Sequence, residues 1–237
     1  MGPCDGAPPE TGVTPLGASI PTFANGSIAP IAPDLACTLR TIRAFRDEEF
    51  DVIHIHEPIC PGPCQTALFL RSAPIVGTWH AAGGSKAYLT PGVRWLATRM
   101  NIRAAVSQDA RDMAHEALGG NYEVVFNGIE VNNFSRSAAT KSDGPTIAYV
   151  GRHEPRKGLD VLLEAMTALP QNVTLWVMSD GPQTEELRLK YKTDQRLHWL
   201  GSVSEEEKVQ RIKGADVLCV PSLRGESFGI VLLEAMA

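Results

Sequence analysis

Residues 215–237 read ADVLCVPSLRGESFGIVLLEAMA. The apolar run 215–221 reads as a short buried strand, Gly225 punctuates a turn, and an apolar helix follows. A strand, a tight turn and a helix together aim a helix N-terminus at an anion, because the first-turn N–H groups and the helix dipole both favour negative charge. The N–H groups of Phe228, Gly229 and Ile230 fall at that turn, and Gly229, without a Cβ, lets a ligand approach the backbone. Two carboxylates flank it, Glu226 in the turn and Glu234 in the apolar run, with seven residues between them. At 1.5 Å per residue they lie at most about 12 Å apart along a helix. By spacing alone, the pair reads equally as a surface carboxylate and an amphipathic helix end.

Upstream of this stretch, strands and helices alternate. In the second half, 146–150, 173–178 and 197–200 read as strands, and 158–168, 185–192 and 205–213 as helices. In the first half, 50–56, 74–79, 102–107 and 122–126 read as strands, with helical stretches around Leu68, Trp95 and Ala110. Short, continuous apolar strands separated by helices imply βαβ units and parallel sheets covered on both faces. The polar stretch 135–144 (SRSAATKSDG) is the best linker, giving domains 1–139 and 140–237. The first thirty-odd residues, rich in Pro, Gly, Ala and Ser, read as loop.

The polar motifs fall at strand ends, where ligands of open α/β sheets bind. Gly151-Arg152 ends a strand and Pro155-Arg156-Lys157-Gly158 opens the next helix. Arg152 and Lys157 therefore sit across one short loop, where a bidentate fork and a point charge suit a phosphate. Thr78-Trp79-His80 ends another strand and leaves His80 at a loop opening. In DVIHIHEP (residues 51–58) the alternation places Ile53 and Ile55 on one face, His54 and His56 on the other, and Glu57 at the strand's carboxyl end. The two histidines lack a third metal ligand, so His54 reads as structural and His56 stays open. Ser107 reads as an N-cap. Arg40, Arg43 and Arg46 recur at helical spacing beside Leu39, Ile42 and Phe45, but Asp47, Glu48 and Glu49 follow at once. A solvated face is the simpler reading; contact with an anionic membrane is the alternative.

Composition narrows the function classes. The chain has 237 residues, 43% hydrophobic and 21% charged, with a net charge of −5. The charge divides evenly between the halves, which argues against a nucleic-acid binder. No apolar run is long enough to span a membrane, and the N-terminus lacks the basic start and apolar core of a signal peptide. The five cysteines are scattered apart from Cys60 and Cys64, which points to a reducing compartment rather than a disulfide framework. No metal site is expected. A dehydrogenase is disfavoured, since no G-x-G-x-x-G follows a strand.

Taken together, the Glu226…Glu234 pair with its SFG turn, the GR…KG pair, the His80 strand end and the AVS strand end at 105–107 resemble the retaining glycosyltransferases of family 4, which have the GT-B fold of two Rossmann-like domains. The H-x-H-E-P string at 54–58 is most similar to the phosphatidylinositol mannosyltransferase group. Asn127-Gly128 resembles a turn of the family with Phe126 in place of Pro, and Ser179-Asp180-Gly181-Pro182 resembles a G-x-G-P turn with its first glycine replaced.

The resemblance implies a hexosyltransferase, moving mannose from a nucleotide-sugar donor to a lipid or glycan acceptor in envelope glycolipid synthesis. GDP-mannose is the first choice of donor and a UDP-sugar the second, with no tightly bound cofactor and an open metal requirement. By resemblance, Arg152, Lys157 and the 228–230 amides would hold the diphosphate. Glu226 would hold the sugar, Glu234 the ribose, and His80 the sugar or acceptor, so Glu226 and His80 are the catalytic candidates. A cytoplasmic location at the inner face of the membrane goes with this reading. The resemblance covers about residues 34–237 and implies that both domains are incomplete, the first lacking its opening strand and glycine-rich loop. Two alternatives remain: a fragment that at most binds nucleotide, and a GT-B nucleotide-sugar epimerase.

Overall fold

Near the N-terminus, where composition reads as loop, the chain forms a hairpin. Strand β1 (Ile20–Ala24) pairs antiparallel with β2 (Ser27–Ile31), Ile20 opposite Ile31. The dipeptide between them in sequence, Asn25-Gly26, is the strongest short hairpin signal, which the Pro- and Gly-rich composition obscures. The computed structural model describes residues 1–6, 12–24, 27–83 and 86–237. The chain gathers into two units, residues 1–126 and 127–237.

In the first unit, helix α1 (Leu35–Asp47) starts on Asp34, whose side chain accepts from Cys37 N–H. Strand β3 (Ile53–His56) is followed by α2 (Pro63–Leu70), β4 (Ile75–Trp79), α3 (Val93–Ala97), β5 (Ile102–Ala105), α4 (Gln108–Leu118) and β6 (Glu123–Val124). The strands pair in parallel in the order β3-β4-β5-β6. The alternation read in DVIHIH holds: Ile53 and Ile55 are buried, while His54 and His56 face outward. Leu68, Ile75, Trp79 and Ala105 are fully enclosed, and Trp79 meets the edge of Tyr122 at 5.0 Å. Ser107 caps α4, its Oγ accepting from Ala110 N–H at 3.1 Å.

The second unit runs α5 (Val131–Arg136), β7 (Thr146–Val150), α6 (Leu159–Ala165), β8 (Thr174–Met178), α7 (Thr184–Lys190), β9 (Leu197–Gly201), α8 (Glu205–Gly214), β10 (Val217–Leu218) and α9 (Ile230–Met236). Its sheet is parallel in the order β10-β7-β8-β9. Tyr149, Leu159, Leu163, Met166, Leu175 and Val177 build the core between the sheet and α6. The run 215–221 gives only a two-residue strand at the sheet edge, with Val217 exposed. The polar stretch 135–144 lies inside this unit, so the division falls before it, between 126 and 127. Phe134 packs with Val209 and Ile212, Thr140 N–H donates to the Gln210 carbonyl at 2.9 Å, and Lys213 Nζ donates to the Ser135 carbonyl at 2.7 Å. Side chains that face water make the stretch read as a linker, while its backbone is pinned.

Candidate functional site

At the carboxyl end of β7, the loop Gly151–Gly158 is stapled to the loop that follows β10. Leu223 N–H donates to the Arg156 carbonyl at 2.9 Å, and Arg156 Nη1 donates to the Gly225 carbonyl at 3.3 Å. Gly158 makes this approach possible. Its φ is +66°, and a Cβ there would stand 2.2 Å from the Pro221 carbonyl oxygen. The staple brings Lys157 Nζ to 2.5 Å from Glu226 Oε2, and Ser222 Oγ donates to the same oxygen at 3.0 Å. Partial burial raises the pKa of Glu226, but the Lys157 hydrogen bond and charge, with Ser222 and Arg156, outweigh it and hold the carboxyl below the usual carboxylate range.

Arg152 joins the same constellation through a residue that sequence reasoning missed. The Glu154 side chain is 3% exposed and bridges two arginines, Arg152 Nε at 2.9 Å and Arg156 Nε at 3.0 Å. A buried carboxylate is tolerated only when paired, and here it sets the direction of both guanidinium groups. The signal was present in GRHEPRKG, an acid within a basic loop.

Gly229, with φ +74°, caps α9 and sits where a Cβ would crowd Leu232 Cδ1 at 3.1 Å. The N–H groups of Phe228, Gly229 and Ile230 therefore lie at the mouth of α9, after the turn that carries Glu226. One turn into the helix, Glu234 is buried. Its Oε1 accepts from Lys208 Nζ on α8 at 2.9 Å, and Lys208 also meets Glu205 at 2.7 Å. Glu234 lines a cavity of about 550 Å³ together with Gly128, Ile129, Glu130, Phe134 and Glu205.

His80 belongs to the first unit, at the end of β4. Its Nε2 lies 2.7 Å from His56 Nδ1, and the His54 ring packs 4.4 Å from that of His56. His54 Nε2 bonds Thr78 Oγ1 at 2.8 Å, so His54 is held within the sheet. Burial, then the neighbouring histidines, lower the pKa of both His56 and His80. Only one proton fits between the facing nitrogens, so the pair resists a second positive charge. Glu57 sits at φ +50° and turns onto the backbone, Oε1 accepting from His80 N–H at 2.8 Å and Ala81 N–H at 2.9 Å. It thereby fixes the loop that carries His80. Among the described residues, no group of three His, Cys, Asp or Glu is placed to hold a metal ion.

The family model for Glycosyltransferase Family 4 matches residues 3–133, more than half of the chain. The chain belongs to glycosyltransferase family 4. Residues 130–237 match the model for glycosyl transferases group 1, so the two matches meet within a few residues of the division between the units.

Relatives of this family 4 chain include the phosphatidyl-myo-inositol mannosyltransferase of Mycobacterium tuberculosis, 35% identical over 93% of this chain and 61% of its own length. The same-named protein of Mycobacterium leprae is 36% identical over 95% and 63%. The chain thus spans less than two thirds of the curated relatives it matches. Among solved structures, sucrose-phosphate synthase from Thermosynechococcus elongatus superposes with a TM-score of 0.67 at 19% identity, covering 85% of this chain and 58% of that one. Alr3699/HepE of Anabaena in complex with UDP-glucose gives 0.64 at 20% identity, covering 89% and 64%. At such identities the likeness establishes the fold, two Rossmann-like units of the GT-B class.

Proposed function

We propose that the chain carries the catalytic machinery of a retaining hexosyltransferase that moves mannose from a nucleotide-sugar donor to a lipid or glycan acceptor in envelope glycolipid synthesis. The observation that carries this reading is the loop staple of the second unit, which sets Lys157 against Glu226 with Arg152 anchored beside them. Cations next to a sugar-binding carboxylate suit a reaction whose leaving group is a nucleoside diphosphate. Arg152, Lys157 and the 228–230 amides meet the developing negative charge. Glu226 accepts hydrogen bonds from sugar hydroxyls, and Glu234 from the ribose. The acceptor hydroxyl attacks the anomeric carbon on the face the diphosphate leaves, and a leaving phosphate oxygen takes its proton. His80, paired to His56, orients the sugar or the acceptor.

The choice of mannose, with GDP-mannose as donor, rests on the identity to phosphatidyl-myo-inositol mannosyltransferases. We assign the chain to the cytoplasmic face of the membrane. Among the described residues no helix is long and apolar enough to cross one, and α1 exposes Leu35, Leu39 and Ile42 on a helix that also carries Arg43 and Arg46. Both arginines pair with Asp47, so contact with anionic lipid requires that they leave it.

Isothermal titration of the purified chain against GDP, GDP-mannose, UDP and UDP-glucose tests the donor assignment. Selective binding of the guanine nucleotides, abolished by Glu234→Ala, is expected. Equal affinity for all four, or affinity unmoved by Glu234→Ala, overturns it.

A further inference from the structure

We infer that Lys208 is a positioning residue for Glu234, holding one carboxylate oxygen so that the side chain is fixed at the wall of the second unit's cavity, where a polyol ligand binds. The inference rests on the donor-site reading and adds to it a residue from a different helix.

Glu234 is 8% exposed, and a carboxylate that deep is costly to bury without a counter-charge. Lys208 is the cation that reaches it, and it spans two helices, from α8 to α9. Its side chain is itself 15% exposed, so this is an enclosed ion pair and not a solvated surface contact. Lys208 remains charged: burial opposes its charge, but hydrogen bonds to Glu205 and Glu234 outweigh that and raise its pKa. The pair is asymmetric. Oε1 of Glu234 accepts from Lys208 at 2.9 Å, whereas Oε2 is buried and accepts no hydrogen bond among the described residues. A buried carboxylate oxygen without a donor is costly, and a small turn of the side chain toward the cavity it lines would let a ligand hydroxyl supply one. The carboxylates of Glu130 and Glu205 on the same cavity suit a hydroxyl-rich neutral group and repel a phosphate.

If Lys208 acts through Glu234, its removal should cost affinity only while Glu234 is a carboxylate. The test is a double-mutant cycle read by isothermal titration with GDP and UDP on the full chain: wild type, Lys208→Met, Glu234→Gln and the double variant, each checked for folding by circular dichroism. Lys208→Met and Glu234→Gln should each weaken nucleotide binding by on the order of tenfold, and the double variant by no more than either alone. Lys208→Arg, which keeps the charge, should stay within about threefold of wild type. If Lys208→Met does not fold, Lys208→Gln takes its place in the cycle. Wild-type affinity in the Lys208 variants beside a weakened Glu234→Gln overturns the inference and leaves the donor site standing. So do multiplicative losses, which make Lys208 an independent, structural residue. Unchanged binding by Glu234→Gln overturns the donor-site reading itself, and the inference with it.

Discussion

Gly158→Ala tests whether the loop staple organises the site. At φ +66° an alanine pays about 1 to 2 kcal/mol for the left-handed backbone. Its Cβ would also stand 2.2 Å from the Pro221 carbonyl oxygen, about 1 Å inside a relaxed contact. That oxygen cannot swing aside like a side chain, because the Leu223 N–H bond to Arg156 holds the same segment. Overpacking of this kind costs about 1 to 3 kcal/mol. The expected loss is therefore about 3 kcal/mol, or on the order of 10 to 20 °C in the melting of the second unit. Urea denaturation, with amide exchange of the buried strand β8 as the local readout, measures it. Nucleotide affinity should fall with it, since Lys157 and Glu226 are carried on the two separated loops. Gly158→Asn should recover part of the dihedral cost but none of the contact cost. A stability loss below about 1 kcal/mol in Gly158→Ala, with affinity unchanged, would refute the reasoning, because neither the backbone sign nor the close approach would then matter.

Alanine at Arg152, Lys157 or Glu226 should lower the proposed hexosyl transfer on the order of 10- to 1000-fold in kcat/KM; unaltered turnover in all three sinks the site assignment. Ser179 holds φ +80° without being glycine, so Ser179→Gly should stabilise the second unit by about 0.5 to 1 kcal/mol once glycine's extra chain entropy is subtracted, and a destabilisation in urea would show that its side chain contributes more than its backbone costs. His153 is buried, its Nδ1 bonded to Thr184 Oγ1 at 2.7 Å, and burial lowers its pKa from 6.5. The unfolded chain then binds a proton that the folded chain refuses, so stability drops as pH falls below about 6.5, by at most about 1.4 kcal/mol per pH unit. Melting curves from pH 8 to 5 should show that slope in the wild type and its flattening in His153→Gln; parallel curves contradict it.

The parallel α/β class, the strand at 146–150, the buried and exposed alternation of 53–56 and the Ser107 cap were all legible in the chain, because each rests on neighbours within a few residues. So were the identities of Arg152, Lys157, Glu226, Glu234 and His80 as candidates, since motif spacing is local. Composition misled at both extremes: Pro and Gly hid the pairing of 20–24 with 27–31, and an apolar run suggested more strand at 215–221 than the two residues that form. Only the tertiary structure decided who pairs with whom. Lys157 and Glu226 stand 69 residues apart in the chain, and Lys208 and Glu234 stand 26 apart. Such partnerships depend on how loops at the ends of neighbouring strands, or two packed helices, are brought into register. Charge in a sequence says which residues can pair, whereas burial, which strips away competing water, determines which of those pairs form and how strongly each holds its carboxylate.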